Sequence, residues 1–154
     1  MESLIPASIE HMKMVWEWRN DKLCRAMSIS PDYITWETHL KWYSNILTHP
    51  FKKLFIYSAN NIAVAVVRFD LVGDTGEISI NVSPEHRGKG IGTSAIGGSV
   101  IKIKEILPKT QTITAVVKKI NAASLKAFLK NGFEVEEDKE GIVKLKLCLD
   151  NILD

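Results

Sequence analysis

Cysteine is scarce in this chain: Cys24 and Cys148 are the only two among 154 residues. They form neither a Cys-x-x-Cys pair nor a cysteine–histidine set at metal-ligand spacing. No metal is therefore expected, and free thiols are the simpler reading. An excess of one charge is also missing, since 20 basic residues are interspersed with 18 acidic ones for a net charge of +2. That excludes a nucleic-acid tract or a basic helix for a membrane surface. No apolar run approaches the length that spans a bilayer, and the first residues lack the signal-peptide pattern, so a soluble, cytoplasmic protein is expected. Repeats and linkers are absent too. With 45% apolar content, residues 1–154 read as one domain large enough for a sizeable core.

What is present is an alternation of short elements. Leu4-Ile5 suggests a first strand. Ser8 is placed to cap a helix carrying Ile9, Met12, Val15, Trp16 and Arg19 near one face and stopping around Asn20-Asp21. Trp16 and Trp18 cannot both face inward. An irregular stretch follows through Met27, Ser28 and Pro31, and Thr35 caps a second helix ending before Pro50. There Trp36, Leu40, Tyr43 and Leu47 are expected to form the core stripe, with His39, Trp42 and Ile46 as its neighbour. For both His39 and Trp42, structural packing is the simpler reading.

Lys53 to Ala59 and Ile62 to Phe69 flank Asn60-Asn61, a pair that tolerates positive φ, and predict a hairpin. Gly73 to Gly76 turns into a third strand, Glu77 to Val82. The helix from Thr93 to Leu107 points Ile96, Val100, Ile103 and Leu107 inward and stops at Pro108. Gly97 and Gly98 within it cost roughly 1 kcal/mol each relative to alanine, which predicts a sheet or ligand passing close by. Thr110 to Val117 is another strand. Asn121 to Asn131 is a short helix with Leu125, Phe128 and Leu129 inward, and Phe133 to Glu137 with Val143 to Leu149 forms a last hairpin around Gly141. The pattern predicts an α/β fold, a mixed sheet flanked by helices.

The run Glu85-His-Arg-Gly-Lys-Gly-Ile-Gly92 lies between a predicted strand and a predicted helix. Glycines let successive amides approach a ligand, and unpaired donors at a helix start favour an anion; Arg87 and Lys89 add positive charge. Two phosphate loops fail on spacing. Position 93 is threonine where a dinucleotide fingerprint needs its last glycine, and no Gly-Lys-Ser/Thr ending exists. Arg87-x-x-Gly90-x-Gly92 instead resembles the acetyl-CoA pyrophosphate loop of the GCN5-related N-acetyltransferase (GNAT) family. Asn121-x-x-Ser124-x-x-x-Phe128-x-x-x-Gly132-Phe133 is similar to that family's closing helix. The two motifs cover the C-terminal two thirds in the family's order.

Trp18-Arg-Asn-Asp21, Arg25, Met27 and Ile34-Thr-Trp-Glu-Thr-His39-Leu-Lys-Trp42 resemble acetyltransferases acting on the amine of nucleotide-linked amino sugars, as in pseudaminic and legionaminic acid pathways. Val67-Arg-Phe-Asp70 and Ala115-Val-Val-Lys118 fit the same group. Ribosomal-protein N-terminal acetyltransferases share part of this pattern and come second. A non-catalytic acyl-CoA-binding domain is a third reading.

The resemblance implies a mostly antiparallel, twisted sheet with one splayed parallel pair, flanked by about four helices. It implies acetyl-CoA bound between Glu77–Val82 and Thr110–Val117, with its pyrophosphate on the amides of Arg87, Gly88, Lys89, Gly90, Ile91 and Gly92, helped by Thr93. Asn121 and Ser124 would meet the cofactor arm, Phe128 would line it, and an N–H near Ile80 or Val82 would polarise the thioester oxygen. Glu77 is the candidate base, with Asn121 and Ser124 in the catalytic group; a solvated strand-end carboxylate is the competing reading of Glu77. Family members often carry a tyrosine at the position of Phe128 as a thiolate acid; phenylalanine cannot serve, so Ser124, water or no acid remains. Arg19, Asn20, Met27, His39 and Trp42 would line the acceptor side, the guanidinium suited to a diphosphate. A surface ion pair is the competing reading of Arg19. The partner implied is a small-molecule amine, with no nucleic acid and no membrane, and the resemblance leaves room for a homodimer.

Overall fold

The computed structural model describes residues 1–149. Seven strands form one sheet: β1 (Glu2–Pro6), β2 (Lys52–Ala59), β3 (Ile62–Val72), β4 (Thr75–Val82), β5 (Thr112–Lys118), β6 (Glu134–Lys139) and β7 (Ile142–Cys148). Their order is β1-β2-β3-β4-β5-β7-β6. Every neighbouring pair is antiparallel except β4 with β5. Five α-helices accompany the sheet: α1 (Met12–Arg19), α2 (Lys22–Met27), α3 (Trp36–Thr48), α4 (Ile91–Ile106) and α5 (Ala122–Lys130). The expected mixed sheet with one parallel pair is what the chain forms.

Local chemistry explains the turns. Asn60 and Asn61 adopt φ of 53° and 65° between β2 and β3, the geometry that two-residue hairpins demand and asparagine tolerates. A register shift at Tyr57/Ser58 reverses which side chains face each side of the sheet beyond it. Gly76 sits inside β4, where the Phe69 ring fills the space its Cβ would take: an added Cβ would lie 1.9 Å from Phe69 Cζ. Only glycine fits under that ring.

Two cores result. Phe55, Phe69, Ile78, Ile113, Leu145 and their neighbours on one face pack against Ile96, Val100 and Ile103 of α4 and Phe128 of α5. On the other face, Leu54, Ile56 and Val66 of β2 and β3 pack against Met12 and Val15 of α1 and Tyr43 and Ile46 of α3. On that side Glu77 and Ser79 of β4 stay exposed, while Thr114 and Val116 of β5 are half-buried.

Several expectations need correction. The stretch after Asp21 is not irregular but forms α2, because the Asp21 carboxylate accepts the Cys24 amide at 3.1 Å and caps it, an N-cap contact of the usual kind. On α3 the inward face takes Tyr43 from the expected core stripe but His39 and Ile46 from its neighbour. His39, Tyr43 and Ile46 are buried, while Trp36 and Leu40 are 38% and 40% exposed. Ile9 is exposed because it lies in the short 3-10 turn Ile9–His11 before α1. Leu129 is exposed and Ala127 takes its inward place. Close to Gly97 comes Asn131 Oδ1, 2.9 Å from where a Cβ would stand, while Gly98 faces the sheet, at Tyr57 of β2, at 4.0 Å.

Candidate active site at the splayed strands

The parallel pairing of β4 with β5 covers only Thr75, Gly76 and Glu77 against Thr112, Ile113 and Thr114. Beyond Glu77 the two strands separate. Alternation along β4 decides what faces the gap. Asp74 carbonyl oxygen accepts from the Gln111 and Thr112 amides of the β5 side, whereas the Ser83 amide donates to Val64 of β3. Main-chain groups of an antiparallel strand alternate between its two neighbours, so those of Ile80 and Val82 point toward β5. There they meet no ladder partner. An extended ligand can take the place of the missing strand.

One end of the gap opens onto the glycine loop. After the Pro84–His86 turn, Gly88 and Gly90 both adopt φ of 77°, with nothing within 4 Å of either missing Cβ. Gly90 is the N-cap of α4 and supplies no side chain to the first amides, which leaves the donors of Ile91, Gly92 and Thr93 open to a ligand. Gly92 differs: its missing Cβ would touch Val82 and Ala127 at 3.7 and 3.8 Å, so it serves close packing of α4 against β4 and α5. Lys89 is exposed. Arg87, in contrast, is engaged: its Nη2 lies 2.8 Å from Asp21 Oδ2. Cys24, in the first turn of the helix that Asp21 caps, is half-buried, and burial raises its thiol pKa.

At the gap's far wall, Asn121 caps α5 by accepting the Ser124 amide at 3.3 Å. Asn131, which the sequence reading passed over, donates to Thr93 and Ala127 carbonyls at 3.0 and 2.8 Å and so ties α5 to the start of α4. Phe128 is 2% exposed and packs edge-on against Phe133 at 5.0 Å; its ring belongs to the core.

The second face of the sheet forms the other side of the gap. Glu77 and Ser79 of β4 are exposed there, directly across from Asp70 and Arg68 of β3. The Arg19 guanidinium stands 4.5 Å from the Trp42 ring centroid and that of Arg68 5.8 Å. Arg68 donates to Asp70 Oδ2 at 3.1 Å, but no ion pair among the described residues involves Arg19. Desolvation, and then the neighbouring Arg68, lowers the Arg19 pKa, yet a guanidinium stays charged at neutral pH. Two guanidiniums thus share one indole, one of them bonded to Asp70 and the other without an ion-pair partner among the described residues.

The remaining acceptor-side candidates divide. Met27 is half-buried near the end of α2, whose Ala26 carbonyl accepts from Lys118 Nζ of β5 at 3.1 Å. Asn20 is occupied at both ends of its amide, donating to Ile34 oxygen and accepting from Ile34 nitrogen, each at 2.8 Å. It clamps the loop before α3. His39 is fully buried, its Nε2 2.8 Å from the Met12 carbonyl, and lies behind Trp42 with ring centroids 5.7 Å apart. It supports the Trp42 wall and does not reach its surface. Arg68 and Asp70 entered the sequence reading only within a motif resemblance and received no place at the site, although their alternation with buried Val67 and Phe69 was the signal that both face one side. Among the described residues no group of three or more His, Cys, Asp or Glu is placed to hold a metal, and no helix is long and apolar enough to cross a membrane.

Comparison with known proteins agrees with this architecture. No curated protein matches the sequence significantly. Among solved structures, a spermidine N-acetyltransferase from Vibrio cholerae in complex with CoA and spermine superposes with a TM-score of 0.86 at 15% identity, covering 99% of this chain and 98% of that one. The Campylobacter jejuni N-acetyltransferase PseH in complex with acetyl coenzyme A gives 0.73 at 20% identity, covering 96% and 99%. An aminoglycoside acetyltransferase, AAC(6')-Ib, in complex with coenzyme A gives 0.82 at 14% identity, covering all of both chains. The model of the acetyltransferase (GNAT) domain matches residues 3–134, and with most of its length so matched, the chain belongs to the GNAT acetyltransferase family.

Proposed function

We propose that the protein transfers the acetyl group of acetyl-CoA directly to a primary amine, the amine of a nucleotide-linked amino sugar. The observation that carries the acceptor is the pair of guanidiniums of Arg19 and Arg68 on the Trp42 ring, beside the place where β4 and β5 part. A diphosphate suits two such forks, and an indole suits a sugar or base face. The fit of the cofactor rests on the open left-handed Gly88 and Gly90, the uncapped α4 amides and the unladdered main chain of Ile80 and Val82.

When bound, acetyl-CoA supplies an acetyl group activated as a thioester. The residues do the rest. The loop amides from Arg87 to Gly92, with Thr93, hold the pyrophosphate. Ile80 and Val82 offer N–H donors to the developing oxyanion. Glu77, at the last paired position of the parallel strands and exposed on the acceptor side, takes a proton from the incoming ammonium and passes it to solvent, so that the neutral amine attacks the thioester carbonyl and coenzyme A leaves as the thiolate. Asn121 and Ser124 flank the cofactor arm. Phe128 holds no proton to give, and a thiol of reference pKa about 8.5 leaves without one.

Release of coenzyme A across a panel of UDP-linked amino sugars, peptides with ribosomal-protein N-termini and simple polyamines tests the reading. Turnover confined to a nucleotide-linked sugar is expected. Turnover of peptides alone would transfer the assignment to a protein N-terminal acetyltransferase, and turnover of no amine would leave an acyl-CoA-binding domain. The same enzyme preparation, run on a sizing column, tests for a homodimer.

A further inference from the structure

We infer that Asp70 is an acceptor-binding residue that takes an N–H of the incoming amine beside Glu77. Asp70 and Glu77 are direct cross-strand partners on β3 and β4, and side chains of such partners share one face with Cβ atoms about 5 Å apart. Glu77 is also the last β4 residue paired with β5, so the two carboxylates stand together at the point where the gap begins. Their surroundings are unequal. Asp70 Oδ2 accepts from Arg68, whereas Asp70 Oδ1 is buried and has no hydrogen-bond partner. A buried carboxylate oxygen without a donor costs free energy that a donor brought from outside the chain recovers.

An amine suits that position. It brings two or three N–H groups, enough to engage the carboxylates of Asp70 and Glu77 together once the Asp70 side chain turns its unpartnered oxygen outward. The bond from Arg68 fixes one oxygen of Asp70, while Glu77, the more exposed of the two carboxylates, stands on the open side. The same Arg68 reaches Trp42, so one side chain connects the amine-holding carboxylate with the anion-holding wall. The acceptor class this describes carries an ammonium and an anionic group on opposite sides of Arg68. This inference rests on the reading of the β4–β5 gap as the place of transfer, but not on the identity of the sugar.

Ethylamine, which carries no anion, is the probe. Asp70→Asn is expected to lower kcat/KM for ethylamine by about ten-fold or more, the loss typical of a hydrogen bond to a charged group, with the KM for acetyl-CoA unchanged. The loss should persist when Asp70→Asn is made in an Arg68→Ala background, because a residue that merely held Arg68 would cost nothing further there. A second readout needs no turnover. In protein labelled with 13C at aspartate carboxyls and saturated with coenzyme A, the resonance missing from Asp70→Asn should move on adding ethylammonium chloride and stay in place with tetramethylammonium chloride, which has the charge but no N–H. No movement, or equal movement with both cations, overturns the inference, as does an undiminished kcat/KM in either background. Failure of the nucleotide-sugar assignment would leave the ethylamine results as they are.

Discussion

Arg87 of the glycine loop and Asp21 at the start of α2 are joined at 2.8 Å, so the segment proposed to hold the cofactor's phosphates is tied to the helix proposed to wall the acceptor side. Asp21 also caps α2 through the Cys24 amide. Loss of an N-cap costs about 1 kcal/mol, whereas a partly exposed ion pair contributes less. Asp21→Ala is therefore expected to lower stability by about 1 kcal/mol in urea unfolding, and Asp21→Asn, which keeps a capping oxygen, by less.

The same carboxylate makes a pH-dependent contribution. Desolvation works to raise the Asp21 pKa, but the Cys24 amide and Arg87 outweigh it and hold it below the ordinary value. The unfolded chain then binds the proton more readily, so this stabilisation is complete above an ordinary aspartate pKa of about 3.9 and disappears as pH falls through the lower folded value. Urea midpoints of wild type should fall more steeply between pH 5 and 3 than those of Asp21→Asn.

Burial, followed by the charge of Arg19, lowers the His39 pKa, although the Met12 carbonyl works against both. The folded protein thus prefers the neutral ring. Its contribution is complete above the unfolded value of about 6.5 and is lost as pH drops below it, because the unfolded state takes up the proton first. His39→Gln should flatten the decline in Tm between pH 7.5 and 5.5, while Tm at pH 7.5 falls by the equivalent of about 1–3 kcal/mol for the disturbed Met12 contact.

Alanine at Gly90 would be held at φ of 77°, a region costing an ordinary residue about 1–2 kcal/mol, and its methyl would project into open space at the start of α4. Calorimetry with coenzyme A should show affinity reduced about ten-fold or more. Gly76→Ala is the control of opposite kind. Its Cβ collides with the Phe69 ring, so overpacking should lower stability by about 1–3 kcal/mol or more, with partial recovery in a Gly76→Ala/Phe69→Leu double variant.

Glu77→Gln removes the proposed base but leaves the strand intact, since the side chain is exposed. A fall in kcat of about 100-fold or more is expected, with coenzyme A affinity unchanged by calorimetry. Asn121→Ala should also slow transfer, but because Asn121 caps α5, its unfolding free energy must be measured beside its rate.

Which elements exist was legible along the chain wherever local chemistry suffices. Asn60-Asn61 predicted a tight hairpin, Gly88, Gly90 and Gly92 predicted a glycine-rich turn before a helix, and strand-period runs located β2 to β5. These signals are short-range, carried by dihedral preference and by the spacing of apolar residues. The helix at Lys22–Met27 was not legible, being six residues long, too short to hold by propensity. Its contacts come from Arg87 and Lys118, far along the chain.

Motif spacing was thus sufficient to specify a strand, a glycine-rich turn and a helix in an order that resembles the acetyltransferase family's. It could not specify which stripe of α3 turns inward, that His39 sits behind Trp42, or that Arg68 and Asp70 stand beside Arg19 and Glu77. Those facts depend on how a helix rotates against a sheet and on which strands become neighbours. Both are settled by packing and by the pairing of buried polar groups between segments remote in sequence, information that no local pattern contains.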